Sequence, residues 1–84
     1  KKLTVENILI VKGAKIVGKS PKQLNLAEQT GVLVIAIGRG EELLLHRLAE
    51  TVLEAGDMVY CIGRKTDLSV TLDWFDPSVG KNMV

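Results

Sequence analysis

The hydrophobic pattern of the chain is dominated by a run of six consecutive apolar residues at positions 32–37, between Gly31 and Gly38. The run is rich in β-branched side chains and too short for a typical helix, so it predicts a strand that is covered on both faces. We expect it to be the central strand of a sheet. Residues 5–11 and 58–63 predict two further strands, because each is a short apolar segment next to turn-forming residues.

A helix is predicted between the first strand and the central strand. Ser20 is a typical N-cap residue, Pro21 suits the first turn, and Gln23 completes a capping box. Gly31 can adopt the left-handed conformation that ends a helix. The apolar stripe of this helix consists of Leu24, Leu26 and Ala27.

Residues 41–55 support two interpretations. They are good helix formers, their apolar residues recur at spacings of four, and the segment ends before Gly56, which is typical of a helix. Alternatively, residues 38–41 form a hairpin turn, residues 42–47 a strand and residues 51–57 an irregular turn. The local sequence leaves both interpretations open.

The last apolar segment also combines two periodicities. Leu68, Leu72 and Phe75 fit one face of a helix with Thr66 as its candidate cap, whereas residues 68–74 alternate like a strand. We favour the helix, because the Asp-Pro pair that follows it is a typical stop.

The chain is short, with 84 residues, of which 46% are hydrophobic. A domain of this size buries only about 60–65% of its unfolded surface, so it gains stability from association. We expect one domain at residues 1–76 with an aliphatic core, and a tail or linker at residues 77–84. Since the sequence begins with Lys1 rather than Met, we expect it to be part of a longer protein.

The cysteine count excludes an internal disulfide, and the hydropathy pattern contains no segment long enough to cross a bilayer. Cys61 is the only cysteine, so no internal disulfide can form, and its apolar neighbours predict a buried, reduced thiol. The longest apolar run is much shorter than the roughly 20 residues that cross a bilayer, and no signal peptide is visible. We expect a cytoplasmic domain without direct membrane insertion.

The net charge of +1 hides an uneven distribution of sign. Residues 1–40 carry seven basic and two acidic side chains, whereas residues 41–84 carry four basic and eight acidic ones. The basic side chains form either a solvated rim or a positive surface that faces an anionic ligand or a partner subunit. Nucleic-acid binding is not expected, because acids offset the bases and no aromatic residues interleave with them.

Few residues suit catalysis or metal binding. His46 is the only histidine and no cysteine pair exists, which excludes a multi-histidine or zinc–cysteine cluster. Glu41 and Glu42 are a poor acid/base pair, because neighbours on a strand point to opposite faces. We therefore expect no enzyme activity, no metal and no cofactor.

One motif match, to a nucleotide-binding P-loop, favours an enzyme. Residues 13–20 read Gly-Ala-Lys-Ile-Val-Gly-Lys-Ser, the pattern of a P-loop. A P-loop needs a long helix directly behind it, whereas Pro21 follows here, and no later strand ends in a magnesium-binding Asp. Instead, we expect Gly13 to turn the chain and residues 15–17 to return as a short extended segment.

Three segments of the sequence together resemble those of a known family. They are Ile16-Val17-Gly18-Lys19-Ser20, Val34-Ile35-Ala36-Ile37-Gly38-Arg39, and Thr51-Val52-Leu53-Glu54-Ala55-Gly56-Asp57, the last followed by Cys61-Ile62-Gly63. In this order and spacing, over residues 3–75, they resemble the TrkA-C domain, the C-terminal half of the RCK regulatory units of potassium channels and transporters.

The resemblance implies a small α+β domain, usually dimeric. Its sheet is expected to be mainly antiparallel, with about four strands and with two helices on one face. The resemblance favours the hairpin over the helix at residues 41–55. Family members often carry a proline before the Gly-Asp turn, where this chain has residues 46–50, so a helical insertion there stays open.

The resemblance also implies a function. It indicates a non-catalytic regulatory module of a cation transport system, with potassium as the expected ion, that forms a homodimer. The module is expected at the inner face of the membrane, bound to a channel or transporter subunit. In some members a small anionic effector, such as a cyclic dinucleotide, binds at the dimer interface. The alternative is a purely structural dimerisation domain without a ligand.

A candidate ligand pocket follows from the same resemblance, at the end of the first helix and the start of the central strand. The matching residues are Glu28, Gln29, Thr30, Val32 and Val34. Glu28 departs from what a bis-phosphate favours, and Lys19 and Arg39 are expected to offset the charge of an anionic ligand. Arg39 can fork onto a phosphate or carboxylate, or pair with Glu41 or Glu42 at the hairpin tip.

Overall fold

A four-stranded antiparallel sheet is the framework of the domain in the computed structural model, which describes residues 2–78. The strands are β1 (Thr4–Leu9), β2 (Leu33–Arg39), β3 (Glu42–Leu44) and β4 (Met58–Gly63), in the spatial order β1-β4-β2-β3. The helices are α1 (Pro21–Leu24), α2 (Leu26–Thr30) and α3 (Lys65–Phe75), and a 3-10 turn spans Leu48–Glu50. The α+β fold that the sequence predicts is therefore confirmed.

One face of the sheet is covered by α3. Ile8 of β1 and Ile37 of β2 both lie opposite Val59 of β4, and all three side chains are buried. Leu68 and Phe75 of α3 pack against them in the same core. This aliphatic core contains Cys61, which is fully buried as predicted.

The other face of the sheet is not covered by any element among residues 2–78. We call it the open sheet face; its positions, from the strand pairing, are Val5, Asn7, Leu9, Leu33, Ala36, Gly38, Leu43, Met58, Tyr60 and Ile62. Leu33 of β2 is 56% exposed. The prediction that the central strand is covered on both faces is therefore wrong for the single chain, because α3 packs on one side only.

A β-bulge interrupts the alternation of β2. Val34 lies opposite Cys61 and Ala36 lies opposite Tyr60, so that Ile35 is the additional residue between two regular stretches of pairing. A bulge shifts the following side chains to the other face of the sheet. It thereby directs Ile37 into the core.

The predicted start and end of the first helix are both confirmed. The Gln23 amide donates to Ser20 Oγ at 3.2 Å, and the Ser20 amide donates to Gln23 Oε1 at 2.9 Å, which forms the capping box. Gly31 has a φ of +80° and ends the helix. The helix is not continuous, however, because Asn25 adopts the left-handed conformation, with a φ of +50°, and divides it into α1 and α2.

The hairpin interpretation of residues 41–55 is confirmed. Arg39 pairs with Glu42 across a two-residue turn in which Gly40 has a φ of +61°. The strand β3 is shorter than predicted. At residues 46–50, where the sequence allowed a helical insertion, the structure has the 3-10 turn. Residues 51–57 form the predicted irregular turn, which the Gly56 amide anchors through a 2.8 Å hydrogen bond to the Ile10 carbonyl.

Three local predictions differ from the structure. Residues 15–17 form turns rather than an extended segment, since the Val17 amide donates to the Ala14 carbonyl. The N-cap of α3 is Arg64 rather than Thr66, and it makes no side-chain cap bond. The first strand ends at Leu9 rather than at residue 11. The helix α3 ends before Asp76, as predicted, while residues 79–84 of the predicted tail lie outside the described residues.

Candidate functional site

A groove lies where the corner between α1 and α2 meets the start of β2. Its volume is about 280 Å³. It is lined mainly by apolar side chains and has three polar ones at its edge; the lining residues are Pro21, Lys22, Asn25, Leu26, Ala27, Glu28, Val32, Leu33, Val34 and Ala49. A concave, mostly apolar site with a few polar groups is typical of small-molecule binding.

The two walls of the groove are tied together by Thr30. Its hydroxyl donates to the Leu26 carbonyl at 2.6 Å and accepts from the Val32 amide at 3.0 Å. The amide of Gly31 donates to the Ala27 carbonyl at 2.7 Å. These bonds fix the end of α2 on the first residues of β2, so the groove is preformed.

The charged groups of the groove nearly cancel. Lys22 and Glu28 contribute one ammonium and one carboxylate, and Asn25 adds a neutral amide. Both charged side chains are exposed, so solvent screens their interaction with a ligand. The groove therefore offers mainly apolar contact, with one cation and one anion at its edge.

The predicted ligand-binding residues are distributed over the groove and its surroundings. Glu28, Val32 and Val34 line the groove, and Thr30 supports its wall. Gln29 is exposed on α2, and Lys19 is exposed just before the N-cap of α1. In the described part of the chain neither of these two lines the groove.

Arg39 lies at the other end of β2, and its guanidinium binds a carboxylate of the same chain. Nε and Nη2 donate to the two carboxylate oxygens of Asp57 at 2.9 and 2.8 Å, and Nη2 also donates to the Val52 carbonyl. Nη1 lies 3.6 Å from the Glu54 carboxylate. The fork that the sequence predicts for Arg39 is thus directed at Asp57, rather than at Glu41 or Glu42.

The Asp57 carboxylate is held in its charged form. Burial opposes its ionisation, but hydrogen bonds from the Arg39 guanidinium and the Glu54 amide outweigh that effect and lower the pKa of Asp57. The same hydrogen bond raises the pKa of Arg39. The pair anchors the irregular turn to the end of β2.

Residues 13–20 do not form a phosphate-binding loop. The amides of Val17 and Lys19 donate to carbonyls within the loop, and that of Ala14 donates to Val11 just before it. The amides of Ile16 and Gly18 donate to the carbonyls of Trp74 and Leu53. A P-loop needs such amides free to surround a phosphate. The helix that follows has only four residues.

Metal and membrane features are limited in the described chain. Within residues 2–78 no group of three or more His, Cys, Asp or Glu side chains is placed to hold a metal ion. His46 is exposed in the loop after β3. Among the same residues no helix has the length and apolar character needed to cross a bilayer.

Sequence reasoning missed most of the groove lining. The capping box located the start of α1 but gave no sign that Asn25 breaks the helix, or that Asn25 and Ala27 line a groove. An Asn followed by a second apolar stretch is a weak signal for this left-handed turn. Ala49 joins the lining through a contact distant in sequence, which no local pattern predicts.

Comparisons with known proteins identify the family. The model of the TrkA-C domain matches residues 5–76. An uncharacterized transporter of Synechocystis is 36% identical over 59 residues, which are 70% of this chain and 10% of that protein. The Ktr system potassium uptake protein C of Bacillus subtilis is 32% identical over 60 residues, 71% of this chain and 27% of that protein.

Solved structures share the fold. The RCK C domain of the potassium transport protein KtrA, in complex with cyclic diadenosine monophosphate (c-di-AMP), is 29% identical with a TM-score of 0.73, and the match covers 82% of this chain and 79% of that chain. The RCK_C domain dimer of Streptococcus agalactiae BusR in complex with c-di-AMP has a TM-score of 0.78 at 23% identity, covering 87% and 96%. At that identity the likeness shows the fold alone.

BusR also bears on the expectation of no nucleic-acid binding. It has been solved with its busAB-promotor DNA, and this chain matches 35% of that BusR chain at 24% identity. A protein that contains this fold can therefore bind DNA. For the present chain, the absence of nucleic-acid binding stays a prediction.

The chain spans only 10% to 27% of the length of the curated relatives named above. The family model, in contrast, covers most of the chain, from β1 to the end of α3. The chain belongs to the TrkA-C domain family, the C-terminal domains of RCK units.

Proposed function

We propose that this chain is the non-catalytic regulatory domain of a potassium transport system, and that a small effector binds in its groove at a subunit interface. The observation that carries the proposal is the preformed apolar groove at the α1–α2 corner. Its location agrees with the segment that the family resemblance indicates, the end of the helix and the start of β2.

A rigid groove is suited to transmit binding. Thr30 joins α2 to β2, and β2 runs on to Arg39, which holds the irregular turn. A ligand that contacts both walls therefore acts on β2 through Thr30. The binding energy then reaches both ends of the sheet, where a partner of the transport system is expected to contact the domain.

A cyclic dinucleotide is the first ligand to test. The KtrA and BusR domains described above were solved with c-di-AMP. The apolar lining suits the purine rings, and Lys22 supplies one cation for a phosphate, whereas Glu28 opposes it. Because Arg39 already binds Asp57, we assign charge compensation to Lys22 and Lys19 rather than to Arg39.

The domain is expected on the cytoplasmic side of the membrane, as a homodimer attached to a channel or transporter subunit. The names of the relatives support the transport role, since they include a transporter and a potassium uptake protein. The alternative is a structural dimerisation domain without a ligand, which the uncovered apolar face of the sheet favours.

Isothermal titration calorimetry of the 84-residue chain with c-di-AMP tests the proposal. We expect saturable heat at micromolar ligand, with about one ligand for each dimer. Ala49→Trp fills the groove from the 3-10 turn and is expected to abolish the heat. Ala55→Trp is the matched control, because Ala55 is also an exposed alanine but lies in the irregular turn.

The two functions give different results in this experiment. A dimer that shows no heat with c-di-AMP at high micromolar concentration supports the structural alternative and rejects c-di-AMP as the effector. Equal heats for both tryptophan variants contradict the groove as the binding site.

A further inference from the structure

We propose that β1 is a docking edge, where an extended peptide segment of another protein adds to the sheet as a further strand antiparallel to β1. The segment presents an aliphatic side chain opposite Ile8 and a basic side chain opposite Glu6. This inference goes beyond the proposed function, because it concerns the edge of the sheet and uses no residue of the groove.

The first argument is the direction of the backbone hydrogen bonds of β1. In the strand order β1-β4-β2-β3, β1 has a neighbouring strand on one side only. Just after β1, the Ile10 amide donates to the Asp57 carbonyl at 2.9 Å, and the Ile10 carbonyl accepts from the Gly56 amide at 2.8 Å. Both backbone groups of Ile10 are therefore directed toward the side of β4.

The position of Ile10 fixes the direction of every residue in β1, because hydrogen-bonded and non-hydrogen-bonded pairs alternate along an antiparallel ladder. The even-numbered residues bond to β4, whereas Val5, Asn7 and Leu9 direct their amides and carbonyls to the outer edge. Within residues 2–78, no backbone group of a loop or helix bonds to these three residues. The edge thus presents a row of free donors and acceptors.

This edge lacks the features that commonly protect edge strands, which are proline, lysine and β-bulges. The strand Thr4–Leu9 contains no proline and no lysine, and its pairing with β4 is regular along its whole length. Glu6 is its single charged residue. An extended peptide can therefore pair with β1 without displacing a part of the described chain.

A small notch lies directly beside the edge, between β1 and α3. We call it the edge notch; its volume is about 140 Å³, and its lining residues are Glu6, Ile8, Lys65, Leu68, Ser69 and Leu72. An apolar cavity of about 150 Å³ can hold a benzene ring, whereas small-molecule sites begin at about 300 Å³. The edge notch therefore fits one aliphatic side chain better than a separate ligand.

The edge notch is aligned with the side chains of an added strand. Glu6 and Ile8 line it from the sheet, and at the outer edge both occupy non-hydrogen-bonded positions. Directly opposite side chains approach most closely at such positions. An aliphatic residue opposite Ile8 therefore enters the notch and contacts Leu68 and Leu72.

The charges at the notch define the second feature of the peptide. Glu6 and Lys65 are both exposed, and neither forms an ion pair with another described residue. Opposite charges on directly paired residues of neighbouring strands are stabilising, and like charges are destabilising. Because Glu6 is the residue on the strand, a basic side chain is favoured two positions after the aliphatic one.

A second copy of this chain fits the edge poorly. The two antiparallel registers in which two β1 strands overlap most are centred on Glu6 and on Asn7. They place Glu6 of one copy opposite Glu6 or Ile8 of the other, so the carboxylate meets a like charge or covers the apolar floor of the notch. Charge complementarity therefore favours a peptide with a basic residue over self-pairing.

Nuclear magnetic resonance of the full chain with the synthetic peptide Ser-Ser-Val-Leu-Thr-Lys-Val-Thr tests the docking edge. Its leucine and lysine have the spacing that suits Ile8 and Glu6. We expect saturable binding with a dissociation constant below about 1 mM. Saturating peptide is expected to slow hydrogen exchange of the Val5, Asn7 and Leu9 amides at least about tenfold, since only these face the edge.

A modified peptide separates strand addition from nonspecific contact. N-methylation of both valines and of the threonine between leucine and lysine keeps the side chains but removes the amides that face β1. We expect this peptide not to bind. Equal affinity of the two peptides overturns the proposal, because backbone pairing is then not needed.

Variants of the chain test the notch and its charge separately. Ser69→Trp fills the notch and is expected to raise the dissociation constant at least about tenfold, because the peptide leucine loses its apolar contacts. Val70→Trp is the matched control, since Val70 is also exposed on α3 but does not line the notch, and we expect no change. Glu6→Lys is expected to weaken binding about fivefold, and replacement of the peptide lysine by glutamate to restore it.

Three further outcomes overturn the proposal. The first is the absence of saturable binding of the unmodified peptide at about 1 mM. The second is a dependence of the Val5, Asn7 and Leu9 amide signals on protein concentration without peptide, which assigns the edge to a second copy. The third is slow exchange of these amides in the dilute free chain, because the edge is then already occupied within the chain.

Discussion

The guanidinium of Arg39 and the carboxylate of Asp57 form a two-bond ion pair, with N to O distances of 2.9 and 2.8 Å. The Asp57 side chain is only 2% exposed, and its Oδ2 also accepts from the Glu54 amide. Arg39 is in addition bonded to the Val52 carbonyl. The pair thus closes the irregular turn against the end of β2.

Removal of Arg39 is expected to destabilise the domain strongly. Arg39→Met leaves the Asp57 carboxylate buried without its partner, which we expect to lower the free energy of unfolding by on the order of 3 kcal/mol. Urea denaturation followed by circular dichroism measures it. Arg47→Gln is the control, because it breaks an exposed ion pair with Glu50 and is expected to cost less than about 0.5 kcal/mol. Equal effects of both substitutions would contradict the assigned role of Arg39.

The same pair predicts an acid-dependent loss of stability. The folded pKa of Asp57 lies below its ordinary value of 3.8, so as the pH falls the unfolded chain takes up the proton first. The contribution of Asp57 is therefore complete above about pH 5 and is lost as the pH falls through the folded pKa. We expect the unfolding free energy of Asp57→Asn to be lower at neutral pH and to depend less on pH below this point.

Asp76 provides a control for the loss of unfolding free energy at acid pH. Hydrogen bonds from Ser78 lower the pKa of this exposed carboxyl too, so it titrates in the same direction. Asp76→Asn is expected to change the pH dependence of the unfolding free energy less than Asp57→Asn does, because solvent screens the exposed group. The prediction for Asp57 fails if the wild-type and Asp57→Asn curves remain parallel from pH 5 to the lowest pH at which the chain is folded.

Cys61 is predicted to be unreactive in the native state. Burial raises the pKa of its thiol to about 12, and the side chain lies in the core between the sheet and α3. The reactive thiolate is therefore nearly absent at pH 8. Labelling with a thiol reagent is expected to be at least about a hundredfold slower in buffer than in denaturing urea. Rapid labelling of the folded chain would show that the core opens on a short timescale.

Charge at the groove edge is expected to tune ligand affinity in opposite directions. Glu28→Gln removes the anion that opposes a phosphate, and Lys22→Gln removes the cation that favours it. At these exposed positions we expect about a two- to fivefold gain and a similar loss of c-di-AMP affinity, both smaller at high salt. Calorimetry at two salt concentrations measures the effect. Changes of the same sign in both variants would contradict a charge mechanism.

The sequence predicted those parts of the fold that depend on short-range signals. The capping box of Ser20 and Gln23, the left-handed Gly31 and the strand β4 each follow from a few neighbouring residues. Helix propensity was misleading at residues 41–55, because pairing of β3 with β2 outweighs the local preference. Only the family resemblance favoured the hairpin there.

The groove and the open sheet face could be predicted only in part. Glu28, Val32 and Val34 were located from the resemblance, whereas Ala49 reaches the groove through long-range packing. The bulge at Ile35 changes which residues of β2 point into the core, and the uninterrupted apolar run carries no sign of it. Because the apolar run is uninterrupted, the sequence also predicted that both faces of this strand are buried.

Trp74, the single tryptophan of the chain, lies where the turns before α1 meet the end of α3. Lys15 Nζ is 4.4 Å from the centre of the Trp74 indole ring. The backbone carbonyl of Trp74 accepts a hydrogen bond from the Ile16 amide. The emission spectrum of the unlabelled protein therefore originates from one known junction. Time-resolved fluorescence can follow that junction directly, without a dye and without any change to the sheet or the groove.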